Sequence, residues 1–329
     1  MSGSENHPQQ KHYDAALRQV RRKYGRQRRK ERAKQRFGNL PLRIGLLVLA
    51  AATAVAVWFA TQPKPVKDLP DRLRVFIFDV GQGDAALIQT PEHAVLMDAG
   101  EAEQGYPLVH KLKSLGVRKL DAAICSHPHE DHMGGMETVL QCIPTETLYL
   151  PQIPDELVPT TVSFSRMLET AQTKHTAVRT PACRDSLALG DTELTFLSTD
   201  NNAFEALNNC SLGCRITCGT ASFFFAGDLE EDGENAMLQA GLLEPVTVLK
   251  VSHHGSSTSS SQAFLDAVKP QYAAISVASM NDYGHPTQKI LNRLAAIPCT
   301  IYRTDLDDTI AFATDGTGIH VVTHWDFGK

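Results

Sequence analysis

From residue 73 onward the chain is built of short apolar runs, each about as long as a strand and closed by Gly, Asp or His. LRVFIFDV, AALIQT and HAVLMDAG follow one another, separated by GQGD and by Pro91-Glu92, and read as three successive strands. YPLVHKLKSLG changes period: Leu108, Leu112 and Leu115 fall at helical spacing. LDAAICS is again a buried strand. Beyond an irregular Pro-rich stretch, strands are predicted near 193–198, 211–217 and 222–226, a helix near 230–241 and a strand at VTVLKVS. SQAFLDAV with QYAAISV, and QKILNRLAA with CTIYRT, are helix–strand pairs, and TIAFATDGTGIHVVT is a hairpin turning at Asp315-Gly316. Strands that first pair as hairpins and then alternate with helices predict two sheets sandwiched between helices. No internal repeat points to a solenoid.

Upstream of this body the pattern is different. IGLLVLAAATAVAVWFA, residues 44–60, is uncharged and apolar apart from Thr53, which places a membrane-spanning helix at 42–61. Residues 1–40 carry 12 Lys and Arg against three acids. A cleaved signal peptide would need a far shorter charged leader and a small-residue cleavage site after the apolar run. The expected organisation is a basic tail (1–41), a span (42–61), a Pro-rich linker (62–72) and a folded body (73–329). Positive charge immediately before the span puts the N-terminus in the cytoplasm and the body outside the membrane. The basic tract is also suited to anionic lipid or nucleic acid, a topology signal with lipid contact being the more economical reading.

Composition adds two points. Hydrophobic residues make up 42% of the 329, enough for an ordinary core, which excludes a disordered chain. The seven cysteines are odd in number and lack a framework spacing, so no disulfide follows from them. Cys210, Cys214 and Cys218, four apart, share one face if the segment is a strand and read as small buried hydrophobes.

The chemistry concentrates in CSHPHEDHMGGM, residues 125–136. Two-residue spacing in an extended segment turns His127 and His129 to one side, and Asp131 and His132 follow as the chain curls toward a helix. Imidazoles and carboxylates in this density suit Zn²⁺ or Mn²⁺, and a rigid strand end can hold two such ions. Asp98-Ala99-Gly100, Gly227-Asp228, His253-His254-Gly255-Ser256 and Gly284-His285-Pro286 also lie where apolar strands stop, and strand ends meeting at one edge are the usual place for a site.

H-x-H-x-D-H resembles the signature of the metallo-β-lactamase fold. More closely, FDVGQGDAALIQT, MDAG, AGDLE, LKVSHHGSSTS and YGHP resemble, in order, segments of the hydrolase domain of the competence protein family ComEC, over roughly residue 73 to the C-terminus. The resemblance implies an α/β fold, an αββα sandwich, with up to two divalent metals. It places His127 and His129 at the first metal and Asp131 and His132 at the second. Asp228 would bridge both and His285 would close the second site. A bridging carboxylate is physically reasonable between two cations that repel. A third histidine for the first metal is absent; ALNNCSLGCRI offers Asn208 and Asn209 instead, as the ComEC group does, although that group commonly has aspartate where this chain has His129. The first metal is therefore expected to be weakly held. Asp98 either orients a ligand histidine or ligates directly, the former being favoured.

In this reading Asp131 orients a water activated by the metals, Lys250 offsets charge on a phosphate's oxygens, and His253 or His254 protonates the leaving alkoxide. Gln82, Gly83, Asp84, Asn209 and Ser256 are the candidate substrate contacts; the GQGD loop reads equally as a tight turn or as a source of backbone N–H groups for a phosphate. The preferred function is a membrane-anchored phosphodiesterase, possible substrates including single-stranded DNA, with no protein partner indicated. Residues 61–329 hold 19 Lys and Arg against 34 Asp and Glu, a net charge of −15, which disfavours long duplexes and favours strand ends or small diesters. The alternatives are hydrolysis of a carboxylic ester, thioester or wall-associated phosphodiester on the same centre, or a non-catalytic surface binding module.

Overall fold

The computed structural model describes residues 29–30 and 70–327. The predicted span and nearly all of the basic tail lie outside the described residues, and among those described no helix is long and apolar enough to cross a membrane.

Two mixed sheets face each other. The first has eight strands in the order β15-β14-β1-β2-β3-β4-β5-β6: β1 Leu73–Ile77, β2 Ala86–Gln89, β3 Ala94–Met97, β4 Leu120–Ile124, β5 Thr145–Tyr149, β6 Ala177–Arg179, β14 Ile310–Thr314 and β15 His320–Val322. The second has seven in the order β13-β12-β11-β10-β9-β8-β7: β7 Ser186–Leu189, β8 Thr192–Leu197, β9 Gly213–Cys218, β10 Ala221–Phe225, β11 Val248–Lys250, β12 Tyr272–Ile275 and β13 Thr300–Arg303. Each sheet is antiparallel through its hairpins and parallel from β3 to β6 and from β10 to β13. The C-terminal hairpin is not an appendage: β14 pairs along all of β1.

The strands read as unbroken apolar runs because both faces are buried. Along β1, Val75 and Ile77 point between the sheets while Phe76 packs outward. On β10, Phe223 and Phe225 face inward and Phe224 outward. Phe312 of β14 meets Phe223, Tyr272 and Tyr302 in the middle layer. The outer faces are covered by α1 (Gly105–Ser114), which buries Leu108 and Leu112, and by later helices that bury Phe264, Leu265, Ile290 and Leu294.

The stretch between the histidine cluster and residue 193 is more ordered than the sequence reading allows. It contains β5, β6, β7 and a helix, Val162–Thr173, capped by Thr161, whose hydroxyl accepts the Phe164 N–H at 3.3 Å. Phe164, Met167 and Ala171 form its buried stripe, thin enough to be hidden among Ser, Thr and Gln. Cys214 and Cys218 do line the middle layer from β9, whereas Cys210 sits in a turn before the strand; all three are buried and unpaired. Burial pushes the Cys299 thiol up to about 11.

Candidate metal centre

Parallel strands deliver the polar residues to one edge. β3 ends into Asp98, β4 into Ser126 and His127, β10 into Asp228, and β11 into His253 and His254. His129 caps the short helix α2 (Glu130–Met133), which carries Asp131 and His132. Two backbone bonds dock α2: Asp84 N–H donates to Asp131 O at 3.0 Å and Ala99 N–H to His132 O at 2.7 Å. Gly83 is required there, since a Cβ would lie 2.4 Å from Asp131 O. Gly227 plays the same part opposite: a Cβ would meet Ser211 Oγ at 2.8 Å, and its φ of +57° turns the chain so that Asp228 enters the site.

Asp98 is an orienting residue in this geometry. Its carboxylate accepts the Ser126 N–H and hydroxyl, each at 2.7 Å, and stands 3.0 Å from His132 Nδ1. That leaves His132 Nε2 pointing at the centre, 3.2 Å from Asp228 Oδ2. The second Asp228 oxygen, Oδ1, is buried without a hydrogen-bond partner, as is His132 Nε2. Around Asp228 Oδ2 stand His254 Nε2 at 3.6 Å, His253 Nε2 at 3.8 Å and His127 Nε2 at 4.0 Å. His127 and His129 touch through their ring nitrogens at 2.9 Å.

The charges are coupled. Burial alone would lower the pKa of His132, but Asp228 and Asp98 outweigh it and hold it well above the ordinary histidine value. Burial would raise Asp228, yet His132 and His254 bring it well below the carboxylate range. His127 is pushed well down by burial and then by His132, so it stands as a neutral imidazole.

Asp131, His132, Asp228 and His254 form one group whose ligand atoms all lie within 4.8 Å of one another. A divalent ion fits this set: orphaned buried donor atoms, anionic oxygens and imidazole nitrogens converge on one point. His254 Nδ1 lies 3.0 Å from the Ser276 carbonyl; an N–H there leaves the Nε2 lone pair free for the centre. His254, read from the sequence as a proton donor, thus stands inside the group. His285, expected to close it, lies beside it, its ring centroid 5.7 Å from that of His253 and its Nδ1 buried without a partner.

Several expected substrate contacts have hydrogen-bond partners within the protein. Lys250 is 3% exposed, and its ammonium bonds Asp84 Oδ2 at 2.7 Å and Val251 O at 3.0 Å. Asp84 spends its N–H on Asp131 and its carboxylate on Lys250, so the GQGD loop does not offer that amide to a phosphate. Gln82 Oε1 accepts the Ala278 N–H at 3.3 Å. Asn209 Oδ1 caps the helix Glu231–Gln239, accepting from Glu230 N at 3.0 Å and Gly233 N at 3.1 Å. Ser256 is buried and its hydroxyl bonds Thr258 at 3.0 Å.

Two residues escaped the sequence reading. Glu230 Oε1 stands 3.5 Å from His253 Nδ1 and accepts from Thr258 Oγ1 at 2.8 Å, forming a carboxylate–histidine pair at the mouth. Its place two residues beyond Asp228 was the available signal. Ser276, which anchors His254, gives none: it is an ordinary serine after an apolar strand.

Comparison with known proteins bears on the family and the fold. The profile of the metallo-beta-lactamase superfamily matches residues 78–279. The chain is 30% identical over 261 residues to ComE operon protein 3 of Bacillus subtilis (strain 168), covering 72% of this chain and 32% of that protein. It is 31% identical over 286 residues to competence protein ComA of Neisseria gonorrhoeae, covering 85% and 37%. The chain therefore spans about a third of the length of these relatives. Among solved structures, CmlA, a diiron beta-hydroxylase from Streptomyces venezuelae, superposes with a TM-score of 0.51 at 15% identity over 75% of this chain and 55% of that one, a likeness of fold alone.

Proposed function

Because this chain belongs to the metallo-beta-lactamase superfamily, which suggests a metal-dependent hydrolase, we propose that it is a phosphodiesterase, anchored by its apolar segment with the catalytic body outside the cytoplasmic membrane. The observation that carries this reading is the buried Asp131–His132–Asp228–His254 group with a half-buried histidine, His253, held at its mouth by Glu230. Divalent ions bound to this group and to His127 and His129 would supply Lewis acidity and lower the pKa of water. The chain's own residues do the rest. Asp131 Oδ2, 3.1 Å from His254 Nε2, is the carboxylate placed to orient the attacking water. His253 presents Nε2 to the site while Glu230 fixes Nδ1, the arrangement of a general acid. Expelling an alkoxide from a phosphodiester requires such a proton, whereas a thiolate leaves without one. The relatives named for competence favour a nucleic-acid diester, and the net charge of −15 over residues 61–329 favours short or single-stranded ends over long duplex.

The test is the full chain reconstituted with Zn²⁺ or Mn²⁺ and offered bis-nitrophenyl phosphate, single-stranded DNA, a β-lactam and a thioester. Cleavage of the phosphodiesters in preference to the others is expected. Cleavage of the lactam or thioester alone would replace this reading with the carboxyl-hydrolase one. Protease added to intact spheroplasts should digest the body; its protection would overturn the orientation.

A further inference from the structure

Beside the metal centre the chain displays two large side chains to solvent. Met280 is 92% exposed and Tyr283 70%, both in the loop that leads to His285. The loop is braced. The Asn281 amide donates to Ala278 O at 3.0 Å and to His285 O at 2.8 Å, and Asn281 Oδ1 accepts the His285 N–H at 3.0 Å. Gln82 ties Ala278 to the opposite loop. The Tyr283 ring stacks on the His285 ring, centroids 5.7 Å apart and planes 22° from parallel. His285 is in turn 5.7 Å from the ring of His253. Tyr283 therefore stands two ring spacings from the proposed proton donor, backed by an imidazole and largely exposed.

We propose that Tyr283 is a base-stacking platform, with Met280 beside it in the loop, and that it makes the substrate class a nucleic-acid strand end rather than a simple dialkyl phosphate. This rests on the phosphodiesterase reading and adds the part of the substrate next to the scissile phosphate. A phosphate at the metal group carries its sugar and base outward, and a flat π-face held by a neighbouring ring accepts any base without reading its edges. The electrostatics leave this role open. With Lys250 buried against Asp84 and the body strongly acidic, grip through many phosphate contacts is disfavoured, and stacking supplies affinity that carries no charge.

The experiment measures equilibrium binding to the full chain loaded with Zn²⁺. The two ligands are a thymidine dinucleotide with a non-hydrolysable phosphorothioate linkage and the same diester with abasic sugars. Wild type should bind the base-bearing ligand more tightly. Tyr283→Ala should lose about five- to 150-fold on it, the counterpart of about 1–3 kcal/mol per stacked base, and nothing on the abasic one, while Tyr283→Phe keeps wild-type affinity. Equal binding of the two ligands by wild type, or an equal loss on both in Tyr283→Ala, would overturn the platform alone, since bis-nitrophenyl phosphate hydrolysis tests the phosphodiesterase reading separately. Binding of neither ligand would overturn the platform, and the phosphodiesterase reading as well where bis-nitrophenyl phosphate is also left intact.

Discussion

At the scale of single residues the site divides into groups that could hold a metal and groups that hold those in place. Asp98 is of the second kind, fixing His132 through Nδ1, and such partners typically contribute 10- to 100-fold in metal affinity. Asp98→Ala should weaken Zn²⁺ binding by about that factor in a competition titration with a chelating dye. Unchanged affinity would reduce Asp98 to a fold residue. His253 and His254, adjacent and chemically identical, are expected to behave differently because the fold separates their surroundings. His254→Ala should lower metal content, since His254 lies in the ligand group. His253→Gln should leave metal content intact and slow DNA cleavage by about 10²- to 10⁴-fold, with a much smaller effect on bis-nitrophenyl phosphate, whose nitrophenolate leaves without a proton. Equal losses on both substrates would remove His253 from the role of acid.

At the scale of elements, the loops that look like substrate contacts in the sequence also bond across the edge of the sandwich. Gly83→Ala forces a Cβ against Asp131 O and should cost about 1–3 kcal/mol of stability together with metal. Asn209→Ala removes a helix cap and should cost about 1 kcal/mol with KM and metal content unchanged; a raised KM would restore Asn209 to the substrate. These two cases show where sequence reading stops. H-x-H-x-D-H was legible because its spacing is itself chemistry, and the strands were legible because burial on both faces leaves unbroken apolar runs. The helix Val162–Thr173 was not, its stripe being diluted by polar residues. Nor were the uses of Lys250 and Asn209, because a lysine or asparagine at a strand end looks the same whether it faces a ligand or a neighbouring carboxylate or amide. Only the partner 166 residues away decides it for Lys250 and Asp84.

At the scale of the whole molecule, the two sheets each bring half of the candidate ligand group, with Asp131 and His132 from one and Asp228 and His254 from the other. In the metal-free protein His132 carries a raised pKa, so its ion pair with Asp228 stabilises fully below the unfolded value of 6.5 and fades as pH rises through the higher folded value. A metal held by His132 Nε2 would displace the proton from that nitrogen. Binding at pH 7 should therefore release protons, and affinity should fall as pH drops, both measurable by calorimetry in buffers of different ionisation enthalpy; no proton release would contradict a ligand role for His132. The division of ligands between sheets also sets an order of events. Residues some hundred positions apart must meet before a complete site exists, and such distant contacts form late on the way to the native state. Zinc in a refolding buffer should then leave the folding rate unchanged and slow only unfolding, so that the ion acts as a latch on a finished sandwich and takes no part in nucleating it.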